Sequence, residues 1–349
     1  MGAFAARPGW RAVVVLFLAT FAVPATAFAE QLYIGVAPNN FVTGNDASPG
    51  TLIRANDTDG SGVIVGDAYP SEQLTGYGGL AFDLSGNLWA TVGKDDFGDI
   101  GSELGTLSST LVQVDPANGT ILFSAGIVKD SNDVELGITD LAFNSNSNAG
   151  TFAGTLFGIS ASTDIGGPCS TCIYSINSST GAATLVGIPT TSAGQKIELD
   201  SLAFGPDGTL YGTGIPAKSG QTFSTLYTIN SSNGAVLTAE NVVRDPNDPY
   251  STGNSVTPYG LAARPSDGTL FGTLCCSNQI VYRDRVSHLW RFLGSTGVSS
   301  DVYADLAFAP IPTPVPAAVW LFGSGLAALA GMRRRRSPDG ANAGINRRA

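Results

Sequence analysis

The sequence contains a single histidine, His288, in 349 residues. Catalytic triads with a histidine base, and metal centres built from several histidines, are therefore excluded within one chain. His288 stands next to a predicted strand, and we interpret it as a surface or packing residue. Acidic side chains are numerous, and paired acids can serve glycoside chemistry, but nothing singles out one pair. The sequence therefore predicts no catalytic cluster.

Positive charge is scarce in the middle of the chain. Residues 30–310 contain ten basic and twenty-seven acidic side chains, which gives them a formal charge of −17. An acidic surface repels nucleic-acid phosphates and anionic lipid headgroups. Nucleic-acid partners are therefore not expected. Anionic polysaccharide would have to be bound through hydroxyl contacts or bridging metal ions.

Cysteine is also rare, with four residues in the chain. Cys169 and Cys172 lie in one predicted loop, where a short disulfide is feasible in an exported protein. Metal or redox use of this pair is less favoured, because no second such pair and no nearby histidine accompanies it. Cys275 and Cys276 are adjacent, so a bridge between them would be strained. Three alternatives are consistent with the sequence: the two thiols stay reduced, they form disulfides with other cysteines, or they form the strained ring with each other.

The N-terminus has the features of a secretory signal peptide. Two arginines precede an apolar stretch at residues 12–23, and Ala27 and Ala29 provide the small-residue pattern that signal peptidase requires. Residues 1–29 are therefore predicted to be removed during export. The mature chain would begin at Glu30.

The C-terminus combines prolines, an apolar stretch and a block of positive charge. Pro314, Val315 and Pro316 are followed by sixteen apolar or small residues at 317–332. A helix of this length reaches about 24 Å, slightly less than a hydrocarbon core of about 30 Å. The cluster that follows contains Arg333, Arg334, Arg335 and Arg336. Positive charge favours the cytoplasmic side, so the preceding chain is predicted to lie across the membrane.

This tail resembles the PEP-CTERM sorting signal of Gram-negative bacteria, in the variant that reads VPxPAAxWLFGSG before a hydrophobic helix and arginines. The resemblance covers residues 314–336. It implies recognition by an exosortase-like membrane enzyme and delivery to the cell surface or to extracellular polysaccharide, through a membrane-anchored intermediate. Val315 replaces the glutamate of many members, and residues 337–349, a predicted disordered tail, extend beyond the arginines. The alternative is an ordinary single-span anchor.

The chain between these signals, residues 30–310, is repetitive. A Leu-Ala-Phe element begins at Leu80, Leu141, Leu202 and Leu306, and a Leu-Ala-Ala variant begins at Leu261. The successive spacings are 61, 61, 59 and 45 residues. In chain order, the elements that begin at Leu80, Leu141, Leu202 and Leu261 are each followed by three further apolar segments. Turns rich in Gly, Asn, Asp and Ser separate these segments. This pattern predicts four-stranded meanders whose sheets are buried on both faces, as in an all-β propeller.

The ends of the repeat region predict how the ring closes. Leu306 begins a unit that has no continuation, whereas the segments at residues 32–35, 52–55 and 63–66 resemble the second, third and fourth strands of a unit without its first. Joining them gives five blades, one of them composite. A six- or seven-bladed ring with degenerate blades is the alternative. Long insertions at residues 93–110, 159–172 and 242–258 are predicted binding loops.

Two classes of function are consistent with this sequence. The first is a non-enzymatic surface or matrix protein linked to exopolysaccharide or biofilm, and the second is an exported propeller lyase, lactonase or glycosidase. Three or more Asp, Glu, Arg or Tyr side chains around the mouth of the central channel would favour the enzyme, whereas an axis of Ala and Gly would oppose it. No cofactor is expected, apart from a weak calcium candidate at Asp57 and Asp59.

Overall fold

The computed structural model describes residues 30–36, 50–67, 75–94, 108–146, 154–160, 171–216, 224–248, 256–274, 278–298 and 303–311. These residues contain short strands and turns. The strands are β1 (Gln31–Val36), β2 (Thr51–Asn56), β3 (Gly62–Asp67), β4 (Thr75–Phe82), β5 (Leu88–Lys94), β6 (Thr110–Val114), β7 (Ile121–Ile127), β8 (Ile138–Phe143), β9 (Leu156–Ser160), β10 (Ile173–Ile176), β11 (Ala183–Gly187), β12 (Ile197–Phe204), β13 (Leu210–Pro216), β14 (Thr225–Ile229), β15 (Val236–Asn241), β16 (Pro258–Ala263), β17 (Leu270–Leu274), β18 (Gln279–Arg283), β19 (Trp290–Ser295) and β20 (Tyr303–Phe308).

The strands form five antiparallel sheets of four strands each. We number them as blades: blade 1 is β20-β1-β2-β3, blade 2 is β4–β7, blade 3 is β8–β11, blade 4 is β12–β15 and blade 5 is β16–β19. The first strands of successive blades contact one another, and β20 contacts β4, so the ring is closed. The predictions of a five-bladed propeller and of a composite closing blade are both confirmed.

The Leu-Ala-Phe element supplies both sides of each interface between blades. In blade 2, Leu80 and Phe82 pack in a cluster with blade 1, whereas Ala81 packs in a cluster with blade 3. The same division recurs at the other interfaces, so that the leucine of each element, with its phenylalanine where present, meets the alanine of the preceding blade. Because sheets pack closely only when large side chains face small ones, this spacing explains why the leucine and the central alanine are buried in all five elements.

Tight turns join the third and fourth strands of every blade. In blade 1, the side chain of Asn56 accepts hydrogen bonds from the backbone and hydroxyl of Thr58, and Gly60 closes the turn at a φ of +75°. Glycine occupies the corresponding position in blades 2, 3 and 4, also at positive φ. In blade 5 that position is His288, at a φ of +61°. These turns explain the Asn-Gly and Asp-Gly signals of the repeat.

The two ends of the propeller leave from the same face. Glu30 precedes β1, and Ala309 follows its partner β20 by donating a backbone hydrogen bond to Gln31. The turns between first and second strands lie on this face, which we call the terminus face. Connections between second and third strands begin and end on the opposite face, as do those between blades. We call it the loop face.

One arginine ties the last blade to the composite blade. Arg264 donates from Nε and Nη2 to Asp267 at 3.0 and 2.7 Å, and from Nη1 to Asp57 of blade 1 at 3.2 Å. Its guanidinium carbon lies 5.4 Å from the centroid of Phe271, and Nε is 3.8 Å from a carboxylate oxygen of Glu30. Arg264 therefore links blade 5 to blade 1 by charged hydrogen bonds, next to the strand pairing between β20 and β1 that closes the ring.

Candidate functional site

The central axis opens on the terminus face into an apolar cavity of about 290 Å³. Its wall consists mainly of the repeated Leu-Ala-Phe elements, together with Leu84, Pro206, Pro265, Pro310 and Ile311. Asp83 is the acid in this lining, and its carboxylate accepts hydrogen bonds from Asn87 and from the indole of Trp89. Since Asp83 holds its own turn together, this mouth offers an apolar surface rather than a reactive group.

Above this cavity, two fully buried carboxylates block the axis. Asp140 of β8 and Asp305 of β20 immediately precede the leucines of their repeats, and both have 0% exposure. Asp305 accepts short hydrogen bonds of 2.6 Å from the backbone amides of Leu80 and Leu306. The inner edge of each first strand has no neighbouring strand, so its amides need another acceptor. Asp305 provides one, whereas both carboxylate oxygens of Asp140 are buried without a hydrogen-bond partner.

The electrostatics of this axial pair follow from burial and proximity. Burial raises the pKa of Asp305 to about 8, and backbone amides, those of Leu141 and Leu261 included, oppose the rise. Burial also raises the pKa of Asp140 well above its ordinary value, and the neighbouring charge of Asp305 raises it further. Two neighbouring buried carboxyl groups do not both ionise near neutrality. We interpret the pair as one that holds at least one proton at neutral pH.

Closer to the loop face, the first strands contain β-bulges that place further polar side chains beside the axis. Asp200 lies in the bulge of β12, and Tyr259 lies in the bulge of β16. Burial, followed by the negative charge of Glu198, raises the pKa of Asp200 to about 7. The charge of Asp200 in turn contributes to the raised pKa of Tyr259, for which burial is the larger cause. Bulges commonly re-aim side chains near functional sites.

The sequence-derived criterion for the enzyme stays a prediction for Glu198, Asp200 and Tyr259, which lie in the loop-face halves of β12 and β16 and are linked by charge. An acid whose pKa lies near neutrality is suited to donate and accept protons. The terminus-face mouth does not meet the criterion, because it is lined by Leu, Ala and Phe and by an acid that its turn already uses. The two ends of the axis therefore differ in chemistry.

The calcium candidates have protein partners. Asp57 is 8% exposed and pairs with Arg264, while Asp59 accepts hydrogen bonds from the backbone and hydroxyl of Ser61. Among the described residues, no group of three or more His, Cys, Asp or Glu side chains is arranged to hold a metal ion. Calcium binding stays a prediction, and these contacts do not favour it, since they match the hairpin turns of the other blades.

The cysteine and histidine predictions have different outcomes. Cys172 is fully buried and disulfide-bonded, but Cys169, Cys275 and Cys276 lie outside the described residues. The bridge between Cys169 and Cys172 therefore stays a prediction. His288 has a side chain that is 58% exposed, and its Nδ1 is 4.0 Å from Glu240. Its interpretation as a surface residue is confirmed.

The residues of the two sorting signals lie outside the described part of the chain. These are Ala27, Ala29, Pro314, Val315, Pro316, Arg333, Arg334, Arg335 and Arg336. Within the described residues, no helix has the length and apolar character needed to cross a bilayer. The predicted span at 317–332 is not among them.

The axial acids were missed at the sequence level, although the repeat alignment contained a signal. The residue before the repeated leucine is Gly79, Ser201 or Gly260 in three blades and an aspartate in the other two. A Cβ atom at Gly79 would lie 2.5 Å from the backbone nitrogen of Leu141, so blade 2 has no room for a side chain there. An acid at a position otherwise held by glycine or serine in a buried strand is the pattern to look for.

Comparisons with known proteins extend the description of the fold only. No protein-family profile matches the chain, and no curated protein matches it. Among solved structures, it is similar to a protein of unknown function from Bacteroides caccae, at 13% identity over 81% of this chain and 100% of the other, with a TM-score of 0.42. The Malassezia sympodialis allergen Mala s 1 gives 12% identity, 74% and 80% coverage and a TM-score of 0.41. A protein from Bacteroides uniformis, proposed to be a 6-phosphogluconolactonase, shares 13% identity over 75% of this chain and 66% of the other, with a TM-score of 0.33. No inference about activity is drawn from similarities this low.

Proposed function

We propose that this chain is an exported cell-surface or extracellular-matrix protein that acts by binding, and not by catalysis, in association with exopolysaccharide. Its C-terminal signal would be read by an exosortase-like enzyme. What supports the proposal is the position of the two chain ends on the terminus face, opposite the loop face. From Ile311, the next six residues span at most about 20 Å, so a membrane-anchored intermediate would hold the terminus face close to the bilayer.

The loop face would then point away from the membrane. The connections at residues 37–50, 95–109, 161–172 and 242–257 all begin and end there. Connecting segments supply binding surfaces in many folds because the scaffold fixes their ends. A propeller delivered in this orientation presents its variable surface to the exterior.

The delivery step is tested by expressing the chain in hosts with and without an exosortase, and by comparing the mass and location of the product. We expect a shorter, surface-associated product only in the host that contains the enzyme. Replacing Arg333 to Arg336 with glutamine should abolish that difference. The same replacement at Arg347 and Arg348 is the matched control and should leave it intact. An unchanged full-length C-terminus in both hosts would refute the proposal.

An exported propeller enzyme acting on polysaccharide is the second candidate, and Glu198, Asp200 and Tyr259 favour it. The pKa of about 7 at Asp200 is the specific observation, because it suits a general acid or base. Asp200→Asn should abolish turnover of an acidic or neutral polysaccharide if this site is catalytic. If no polysaccharide is degraded by the unaltered protein, the site has no such role.

A further inference from the structure

The mouth of the cavity on the terminus face is an apolar ring that solvent can reach. Two positions after each Leu-Ala-Phe or Leu-Ala-Ala element, one residue of every blade lines this mouth: Leu84, Ser145, Pro206, Pro265 and Pro310. Leu84 is 57% exposed, and Ile311, which follows Pro310, is 46% exposed. None of these six residues is charged, although residues 30–310 have a formal charge of −17. The ring is therefore an accessible apolar surface on a strongly acidic protein.

Polar side chains are scarce in the cavity wall. Among its described residues, only Asp83 and Ser145 have polar side chains. Asp83 accepts hydrogen bonds from the amides of Ser85 and Asn87 at Oδ1, and from the side chains of Asn87 and Trp89 at Oδ2. A polar ligand would lose its hydrogen bonds to water here, whereas an apolar one would gain from leaving water. The volume of about 290 Å³ is small for a ligand pocket and has room for one or two large side chains.

The C-terminal segment of the chain leaves the propeller at this mouth. The described residues end at Ile311, which is itself part of the cavity wall. Trp320, Leu321 and Phe322 follow in the sequence, and residues 312–332 contain no charged side chain. The nine residues from Ile311 to Trp320 can span about 30 Å. Since packed sheets lie about 10 Å apart, the centre of a ring of five blades is within about 10 Å of its rim. The segment can therefore reach back into the cavity.

Covalent attachment favours this segment over a free ligand. A group joined through a short flexible linker has an effective concentration in the millimolar range. A bilayer would still displace it, because a membrane accommodates all sixteen apolar or small residues at 317–332, whereas the cavity holds only a few side chains. Docking in the cavity is therefore reversible on contact with a membrane.

We infer that this cavity and its ring bind the chain's own segment Trp320-Leu321-Phe322 before membrane insertion, so that the propeller shields its sorting segment from water. The role of the shielding rests on the proposed function, because it matters only to a chain that this segment delivers. The docking itself needs neither an exosortase nor a membrane. A bilayer resting on the ring, or a separate apolar ligand, would be a different occupant, and either would leave Trp320 in water when no lipid is present.

The test measures how freely acrylamide quenches the fluorescence of Trp320. The full chain is purified without detergent from a host that lacks an exosortase, and Trp320→Phe supplies the emission of the other tryptophans for subtraction. In the unaltered protein, we expect Trp320 to be protected at every protein concentration. Leu84→Asp places a charge in the ring and should weaken docking by about 10- to 100-fold, which increases the quenched share of Trp320 emission.

Two further variants separate docking from folding. Leu122→Asp is the matched control, because Leu122 is 59% exposed on β7, the outer strand of blade 2, and does not line the cavity. It should leave Trp320 protected. Leu321→Asp changes the segment instead of the ring, at a position that follows the last strand of the propeller. It should release Trp320 without changing the melting temperature.

Three outcomes would overturn the inference. The first is quenching of Trp320 in the unaltered protein that is as free as in Leu84→Asp. The second is protection that Leu122→Asp removes to the same extent, and the third is protection that is lost on dilution, which would mean that the segments of different molecules bury one another. Failure here would leave the delivery step untouched, because that step is read from C-terminal processing and location. A protected Trp320 in a chain that no exosortase processes would refute delivery alone.

Discussion

Replacing Asp140 with asparagine is expected to change how stability depends on pH. In the folded protein, burial and the charge of Asp305 raise the pKa of Asp140, and the pKa of Asp305 is about 8. In the unfolded chain, both acids titrate near 4. Between these values the folded state holds at least one proton more than the unfolded state. The stabilisation is therefore fully present below pH 4 and is lost as the pH rises toward 8.

The size of the effect follows from one retained proton. Each pH unit in the window changes the free energy of unfolding by about 1.4 kcal/mol per proton. From pH 5 to pH 8, each proton that the axial pair retains therefore lowers the free energy of unfolding by at most about 4 kcal/mol. Asparagine at position 140 can donate its amide to Asp305 at every pH, and its oxygen can accept from the surrounding amides. Asp140→Asn should thus lose the part of this slope that Asp140 contributes, whereas burial keeps the pKa of Asp305 raised, and the variant should exceed the unaltered protein in stability at pH 8.

Urea unfolding at pH 5, 6, 7 and 8 measures the slope directly. The difference between the two proteins isolates the contribution of Asp140, because Asp200 and Asp305, with pKa values of about 7 and about 8, add slopes of the same sign to both. Asp59→Asn is the matched control. Asp59 is exposed in a turn where other blades have Asn118 or Asn233, and hydrogen bonds from Ser61 lower its pKa. Asp59 therefore titrates below the pH range of the urea measurements, and its replacement should not change the slope within that range.

A full native slope in Asp140→Asn would refute the interpretation of the pair. So would a large loss of stability at every pH, since that result would mean that both acids are ionised and that the amides require two negative charges. The control variant must keep the native slope for either conclusion to hold.

Two further predictions concern the ring closure and one turn. Arg264→Gln should lower the free energy of unfolding by about 1–3 kcal/mol, because it leaves Asp57 and Asp267 without their charged partner; the urea midpoint measures this, and an unchanged midpoint would mean that strand pairing alone closes the ring. His288→Gly should raise the free energy of unfolding by up to about 1 kcal/mol, because it relieves a φ of +61° at a position where other blades have glycine. Thermal melting at neutral pH measures that change, and a lower melting temperature would contradict the reasoning.

The blade count could be predicted because every interface repeats the same packing problem. Leu202 and Phe204 need a small partner on the preceding blade, and Ala142 provides it. Any chain that repeats this three-residue unit at similar intervals, with turn residues between, indicates a ring of equal sheets. The composite blade was predictable for the same reason, since Leu306 would otherwise have no partner strand in register with Leu32 and Ile34.

The polar features were not predictable in the same way, because they depend on which chain segments become neighbours. Asp140 and Asp305 are 165 positions apart in sequence, and only ring closure brings them together at the axis.

The axial acids also bear on the choice between a binding protein and an enzyme. Five first strands converge on the axis, and the inner edge of each presents backbone amides that no further strand can accept. Leaving such buried donors unpaired would cost more than placing a shared-proton pair among them. Asp305 therefore has a structural explanation, and the complete burial of both Asp305 and Asp140 keeps them from touching a substrate. The case for catalysis rests on Glu198, Asp200 and Tyr259 alone, which makes Asp200→Asn the decisive variant for that alternative.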